Sequence, residues 1–198
     1  MTTYTFRKDI PGWLHSNEVS AVVALCKKLP KGKNILEIGP FAGRTTQLMA
    51  QLCPKAKIYS IDPWPIMDPP QIWDGMTDYD GPDFDTNSTQ SIFLKEICEV
   101  YKNVIPVHGR FPLDFPFEYA NKLGWIHWDT DSVSTVDEIR RELHAAWRML
   151  PVGGILSGHT FAWWQNNVVN AVREFGLDMD KNIILPPSGS IWYIVKDS

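Results

Sequence analysis

The sequence predicts a single doubly wound α/β domain, a mostly parallel seven-stranded sheet with an antiparallel C-terminal strand. Three observations carry this. Short apolar runs alternate with helical patterns from residue 34 onward, as in repeated β-then-α units. The first such unit turns through two glycines, Gly39 and Gly43. Two closely spaced runs end the chain, joined by Pro186-Pro187-Ser188-Gly189, so one of them runs against the rest.

The elements follow in order. An irregular arm leads to His15. Ser16 reads as an N-cap, with Glu18 in the first turn, and Pro30-Lys31-Gly32 ends the helix after Leu29. Strands are expected at 34–38, 57–61, 104–108, 124–128, 154–158, 183–185 and 191–195. Helices are expected at 43–52, 89–101, 136–150 and 167–175. Right-handed crossovers bring the carboxyl ends of the parallel strands to one edge, where ligands bind. Residues 63–87 break the pattern, with Trp64, Trp73, Tyr79 and Phe84 among Asp68, Asp74, Asp78, Asp80, Asp83 and Asp85. Long segments of this kind serve as lids or acceptor-binding loops, and a merely solvated loop is the alternative. The acids disfavour an anionic acceptor.

Composition narrows the function. Length 198 fits one domain with a full core. The net charge of -4 and the lack of a long basic run argue against nucleic acid or a membrane surface. Cys26, Cys53 and Cys98 are scattered and show no metal spacing, which suits reduced thiols in a cytoplasmic protein. Met1-Thr2-Thr3-Tyr4 lacks the apolar stretch of a signal peptide, and no run is long enough to span a bilayer. Nine tryptophans fill the core or line a ligand pocket, the core being the commoner use. A homo-oligomer is left open.

The strongest chemical signal is Glu37-Ile38-Gly39-Pro40-Phe41-Ala42-Gly43, a strand end followed by a glycine turn into a helix. Glycine allows a tight turn and close backbone approach, and the helix start presents free N–H groups. The spacing is G-x-x-x-G, not the G-x-G-x-x-G of dinucleotide binding. Glu37 would crowd a pyrophosphate and suits a ligand with an ammonium and a sulfonium. A plain βα turn is the alternative. Asp62, followed by Pro63 and Trp64, closes the second strand 23 residues beyond Gly39, where a carboxylate can accept both hydroxyls of a ribose. Together the two signals point to an adenosine ligand.

Asp129, Asp131 and His159 follow the fourth and fifth strands and face one pocket. Two acids and an imidazole suit a general base for a hydroxyl proton, or a divalent metal that lowers the hydroxyl's pKa. Helix capping before residue 136 is the alternative for the two acids. His127 alternates with Asp129 and reads as a buried, hydrogen-bonded core histidine. His108 is a weaker candidate, and His15 would reach the pocket only if the arm folds over it. Trp163 and Trp164 are candidate walls of an acceptor site.

Leu36-Glu37-Ile38-Gly39-Pro40-Phe41-Ala42-Gly43-Arg44-Thr45-Thr46 resembles the first motif of class I S-adenosyl-L-methionine-dependent methyltransferases, most closely the small-molecule and sugar O-methyltransferase subgroup with E-I-G-x-x-x-G-R-S-T. Trp128-Asp129-Thr130-Asp131-Ser132 resembles that subgroup's I-D-G-D-H segment, and residues 152–161 its P-G-G-x-L-x-G-H-D-Y segment. The resemblance implies a Rossmann-like methyltransferase fold and O-methylation of a small-molecule hydroxyl. It implies that Gly39, Pro40, Phe41 and Gly43 hold the methionine part of the cofactor and Asp62 the ribose. Gly109, Arg110 and Phe111 would lie near the adenine. Related sugar enzymes carry a magnesium site here, in which Asp129 and the positions of His159 and Thr160 would be ligands and Asp131 the base. The last two ligands are acids there, so this chain departs at both. A cofactor-binding protein without catalysis and an NAD-linked oxidoreductase remain as alternatives.

Overall fold

In the computed structural model, described for residues 3–66, 72–73 (backbone), 82–130, 134–162, 165–187 and 189–197, six strands form one sheet. They are β1 (Asn34–Ile38), β2 (Ile58–Asp62), β5 (Val104–His108), β6 (Leu123–Trp128), β7 (Ile155–Gly158) and β8 (Trp192–Val195). A separate two-stranded ribbon pairs β3 (Ile72–Trp73) with β4 (Phe84–Asp85). The sheet order is β5-β2-β1-β6-β7-β8, with only β8 antiparallel. The order reverses between β1 and β6, and that crevice is where a ligand fits an open α/β sheet. This is the doubly wound, mostly parallel α/β architecture that the alternation predicts, with one strand fewer than the seven expected.

The strand expected at 183–185 shrinks to one bridge, Ile184 to Tyr193. Pro186 and Pro187 follow at once, and without N–H donors they cannot extend a ladder.

Helices α1 (Val19–Lys28) and α2 (Arg44–Leu52) cover one face, while α4 (Val136–Met149) and α5 (Asn166–Asp178) cover the other. Ser16 does not cap α1, since the helix begins three residues later with Glu18 at the N-cap position. The helix expected at 89–101 is a short α3 (Thr89–Ile92) that widens into a π-helical turn, Phe93–Cys98. The start of α4 is a capping box. Glu138 N–H donates to Thr135 Oγ1 at 3.3 Å, and Thr135 N–H to Glu138 Oε2 at 2.8 Å. The T-x-x-E signature stands in the sequence. It gives the cap to Thr135 and frees Asp129 from that role; Asp131 lies outside the described residues.

One row of the sheet is polar and buried. In register across the strands stand Ser60, Glu37, His127 and Ser157, all on the α1/α2 side beside Ile58, Ile35, Trp125 and Ile155 of the core. Buried polar groups persist when hydrogen-bonded. Here Ser60 Oγ donates to Glu37 Oε2 at 3.0 Å, and Ser157 Oγ accepts from Trp125 Nε1 at 2.7 Å and lies 2.8 Å from His127 Nδ1.

Candidate functional site

The site grows from the crossing of β1 and β6. Asp129 N–H donates to the Ile38 carbonyl at 2.8 Å, and Gly39 N–H to the Ile61 carbonyl at 2.9 Å, tying three strand ends together. Gly39 has φ 80° and Gly43 φ 97°, conformations that disfavour any side chain. Space demands glycine at both as well. A Cβ on Gly39 would overlap the Asp129 carbonyl, and one on Gly43 would lie 2.5 Å from Ile97 Cγ1 and 2.9 Å from Phe93 Cδ2. The π turn thus packs directly on the glycine turn. Pro40 is buried, and its carbonyl accepts Gly43 N–H at 2.8 Å, closing the bend that carries the half-buried Phe41 at φ 54°.

Asp62 faces this bend. Its two carboxylate oxygens accept Phe41 N–H at 3.2 Å and Trp64 N–H at 2.7 Å. Trp64 Nε1 donates to the Phe41 carbonyl at 2.8 Å, so the turn and the start of the next segment brace each other. Burial pushes the Asp62 carboxyl up to about 6, against the two N–H donors and His108. His108 Nε2 lies 2.7 Å from the Pro63 carbonyl. Gly109 N–H donates to the Asp62 carbonyl at 3.0 Å, and Arg110 N–H to Asp114 Oδ2 at 2.8 Å. The Phe111 ring is buried in the core beside Phe115. Of this trio, Gly109 stands beside the Asp62 end of the site.

Glu37 points beneath the turn. Its Oε2 accepts Thr46 Oγ1 at 2.6 Å besides Ser60. Burial raises this carboxyl to about 7, the two hydroxyl donors oppose that, and the charges of Asp129 and Asp62 add to it. The side chain buttresses β1 against α2 from below.

The sequence brings His159 and Asp129 together, and the fold adds a partner no spacing shows. His159 Nδ1 lies 3.6 Å from Asp129 Oδ1, while Nε2 lies 3.1 Å from Glu18 Oε2, 141 residues away in the chain. Burial opposes charge on the ring, but the two carboxylates overturn it and carry His159 up to about 10. Glu18 goes the other way, to about 2. Burial would raise it, and His159 with the N–H groups of Ser190 and His15 prevails. His127, buried without a carboxylate contact, falls to about 4. It is the core histidine that the alternation predicts.

An imidazolium with a carboxylate at each nitrogen offers no lone pair to a cation. Among the described residues no three His, Cys, Asp or Glu side chains could hold a metal. The divalent-metal expectation at Asp129 and His159 thus finds no support among the described residues.

Further residues near the turn carry no signal in the sequence. Thr130 Oγ1 is buried beside Gly39 with no hydrogen-bond partner among the described residues. Arg44 is buried, and its guanidinium donates to the carbonyls of Ile10 at 2.7 Å, Lys8 at 2.9 Å and Leu14 at 3.4 Å. Thr5 and Gln51 exchange two bonds further along the arm. The arm therefore lies along α2 and delivers Trp13 to the turn, 5.1 Å from the Phe41 ring and 6.1 Å from Phe84. His15 arrives at this edge as well, where its N–H donates to Glu18 Oε2 at 3.0 Å. The expected base Asp131, its neighbour Ser132, Trp163 and Trp164, and Asp68, Asp74, Asp78 and Asp80 lie outside the described residues.

No protein-family model and no curated protein matches the chain. Solved structures do. The precorrin-6y C5,15-methyltransferase of Geobacter metallireducens GS-15 is similar with TM-score 0.65 at 14% identity, over 99% of this chain and 100% of that one. The O-methyltransferase NovP is similar with TM-score 0.63 at 16% identity, over 92% of this chain and 80% of its own. CalS11, a TDP-rhamnose 3'-O-methyltransferase of calicheamicin biosynthesis, gives 0.59 at 16% identity, over 90% and 78%. At such identities the likeness establishes the fold and leaves chemistry to the site.

Proposed function

We propose that the protein is an S-adenosyl-L-methionine-dependent methyltransferase acting on a hydroxyl oxygen of a small molecule. The observation that carries this reading is the Asp62 carboxylate, held by Phe41 N–H and Trp64 N–H at the mouth of the glycine turn. Each oxygen spends one acceptor position on the backbone and keeps another, so the pair suits the two hydroxyls of a ribose. The unpartnered Thr130 hydroxyl beside Gly39 supplies a second polar contact at the other end of the turn.

The bound cofactor supplies an electrophilic methyl group on a sulfonium. What remains for the chain is to bind, align and exclude water. Gly39 and Gly43 let the turn approach the methionine part, and Gly109 lies on the adenosine side next to Asp62. Asp129, with its side chain one quarter exposed, presents negative charge to an ammonium. Trp13, Phe41 and Phe84 shield the turn from solvent. Asp131 is the proposed acceptor of the hydroxyl proton, because each ring nitrogen of His159 already faces a carboxylate. The acceptor class follows the two O-methyltransferases of similar fold, one of which works on a nucleotide sugar. The acids around Phe84 favour an uncharged portion of the acceptor at that side.

The test has two stages. Calorimetric titration with S-adenosylhomocysteine and with NAD should give binding of the first alone. Incubation with methyl-labelled cofactor and a panel of sugars and hydroxylated natural products should then transfer label to oxygen. Binding of NAD alone rejects the reading. A second reading, a cofactor-binding protein without catalysis, is favoured by the engaged nitrogens of His159. Tight binding with no transfer to any hydroxyl would support it.

A further inference from the structure

We propose that Glu18 is a positioning residue: it holds Nε2 of His159, turns Nδ1 of the same ring to Asp129, and so fixes the Asp129 carboxylate at the methionine end of the cofactor site. The inference rests on the methyltransferase reading for the identity of that site, and on geometry for everything else.

Glu18 occupies the N-cap position of α1 yet makes no side-chain bond to that helix. An acid at a helix start normally serves the helix's own N–H groups. This one turns away and is 98% buried. Its Oε1 accepts Ser190 N–H at 2.7 Å and Ser190 Oγ at 3.0 Å. Its Oε2 accepts His15 N–H at 3.0 Å and faces His159 Nε2 at 3.1 Å. Four donors fill the four acceptor positions of one carboxylate. Gly189 lies so close that a Cβ there would stand 2.6 Å from Glu18 Cδ, and the loop before β8 thus closes on the carboxylate.

The far end of the chain of contacts is open. Asp129 has a fixed backbone, bonded to Ile38 and packed on Gly39, but His159 is the only described partner of its side chain. Among the described residues, no other side chain orients that carboxylate. Two carboxylates and one imidazolium leave one negative charge, delivered at the crevice between β1 and β6. Among the described residues the remaining titratable neighbours are His127 on β6, whose pKa burial lowers to about 4, and Glu37 on β1, whose Oε2 accepts from Thr46 and Ser60. A ligand ammonium at this point meets Asp129 already aimed.

The probe is S-adenosylhomocysteine, titrated into the wild type, Glu18→Gln and Ser190→Ala. The glutamine keeps the shape, and its oxygen still accepts from Ser190, but its amide sets a donor against the His159 N–H. Affinity should fall about tenfold in Glu18→Gln, the size of one lost charge-assisted bond. Ser190→Ala removes a bond from the opposite oxygen and should leave affinity within about twofold. Nitrogen-15 spectra near neutral pH should show both His159 nitrogens protonated in the wild type and one of them lost in Glu18→Gln. A folded Glu18→Gln that binds like the wild type would reduce Glu18 to a structural role and overturn the proposal. If that variant fails to fold, the wild-type ring decides: a neutral His159 overturns the proposal and a doubly protonated one upholds it. Should the wild type bind no nucleoside, the methyltransferase reading fails, while the ring spectra still judge the hold of Glu18 on His159.

Discussion

Gly39 and Asp129 lie backbone against backbone, so close that a Cβ on Gly39 would stand 2.8 Å from the Asp129 carbonyl carbon. The contact is the floor of the crevice where β1 and β6 diverge. Gly39→Ala must move one of these chains and also hold alanine at φ 80°. We expect a loss of about 2 kcal/mol or more in urea unfolding, given about 1–3 kcal/mol for a strained backbone plus the overlap. Binding of S-adenosylhomocysteine should weaken by more than about tenfold, since ~1.4 kcal/mol of misplacement suffices. An alanine variant with wild-type stability and affinity would contradict the crossing.

On the proposed function, Asp62 should make cofactor affinity depend on pH. Burial holds its carboxyl up at about 6, and ribose hydroxyls would donate to the ionised form. Affinity should therefore be level above about pH 7 and decline as pH falls through 6, by up to about tenfold per unit. Asp62→Ala should be weaker throughout and lack this limb. Calorimetry between about pH 5 and 8 measures both curves.

His159 ties stability to pH in the opposite sense. Its folded value, about 10, lies above the free value of 6.5, so the stabilisation is complete below 6.5 and lost as pH rises towards 10. Glu18, lowered from 4.5 to about 2, gives stability above 4.5 that disappears as pH falls towards 2. Denaturant melts of the wild type should lose on the order of 3 kcal/mol from this cluster between pH 6.5 and 10. His159→Gln should be less stable at pH 6 and show a flatter alkaline limb. Parallel curves for the two proteins would mean that the ring is not charged.

Arg44 fastens the arm. Replacing it with methionine keeps the stem but leaves the Lys8, Ile10 and Leu14 carbonyls without their shared donor. A cost of about 2–4 kcal/mol is expected for removing one side of a buried hydrogen-bonded network. Brief trypsin treatment should then cut after Arg7 and Lys8 much faster than in the wild type, read by mass spectrometry. Equal cutting rates would mean that the arm is held elsewhere.

The glycine turn, the acid closing β2, the core position of His127 and the strand alternation were all legible in the chain. Each depends on residues within a few positions of one another, where turn geometry, strand period and helix period act directly. The strand expected at 183–185 is reduced to a bridge because an apolar triplet does not tell whether the prolines after it will block its ladder. Thr135-x-x-Glu138 carried its own cap signal, and the acids upstream drew the assignment away from it.

Other features came only with the fold. Glu18 finds His159 across 141 positions, Arg44 gathers carbonyls from the arm, and Thr130 is left with a buried hydroxyl at the crevice. Nothing local marks these residues, because a surface-type side chain becomes interior only when distant segments close over it. Burial then sets the charge of His159 and the raised carboxyls of Glu37 and Asp62. Sequence determined where the turns and strands lie; packing at long range decided which charges are kept and what they face.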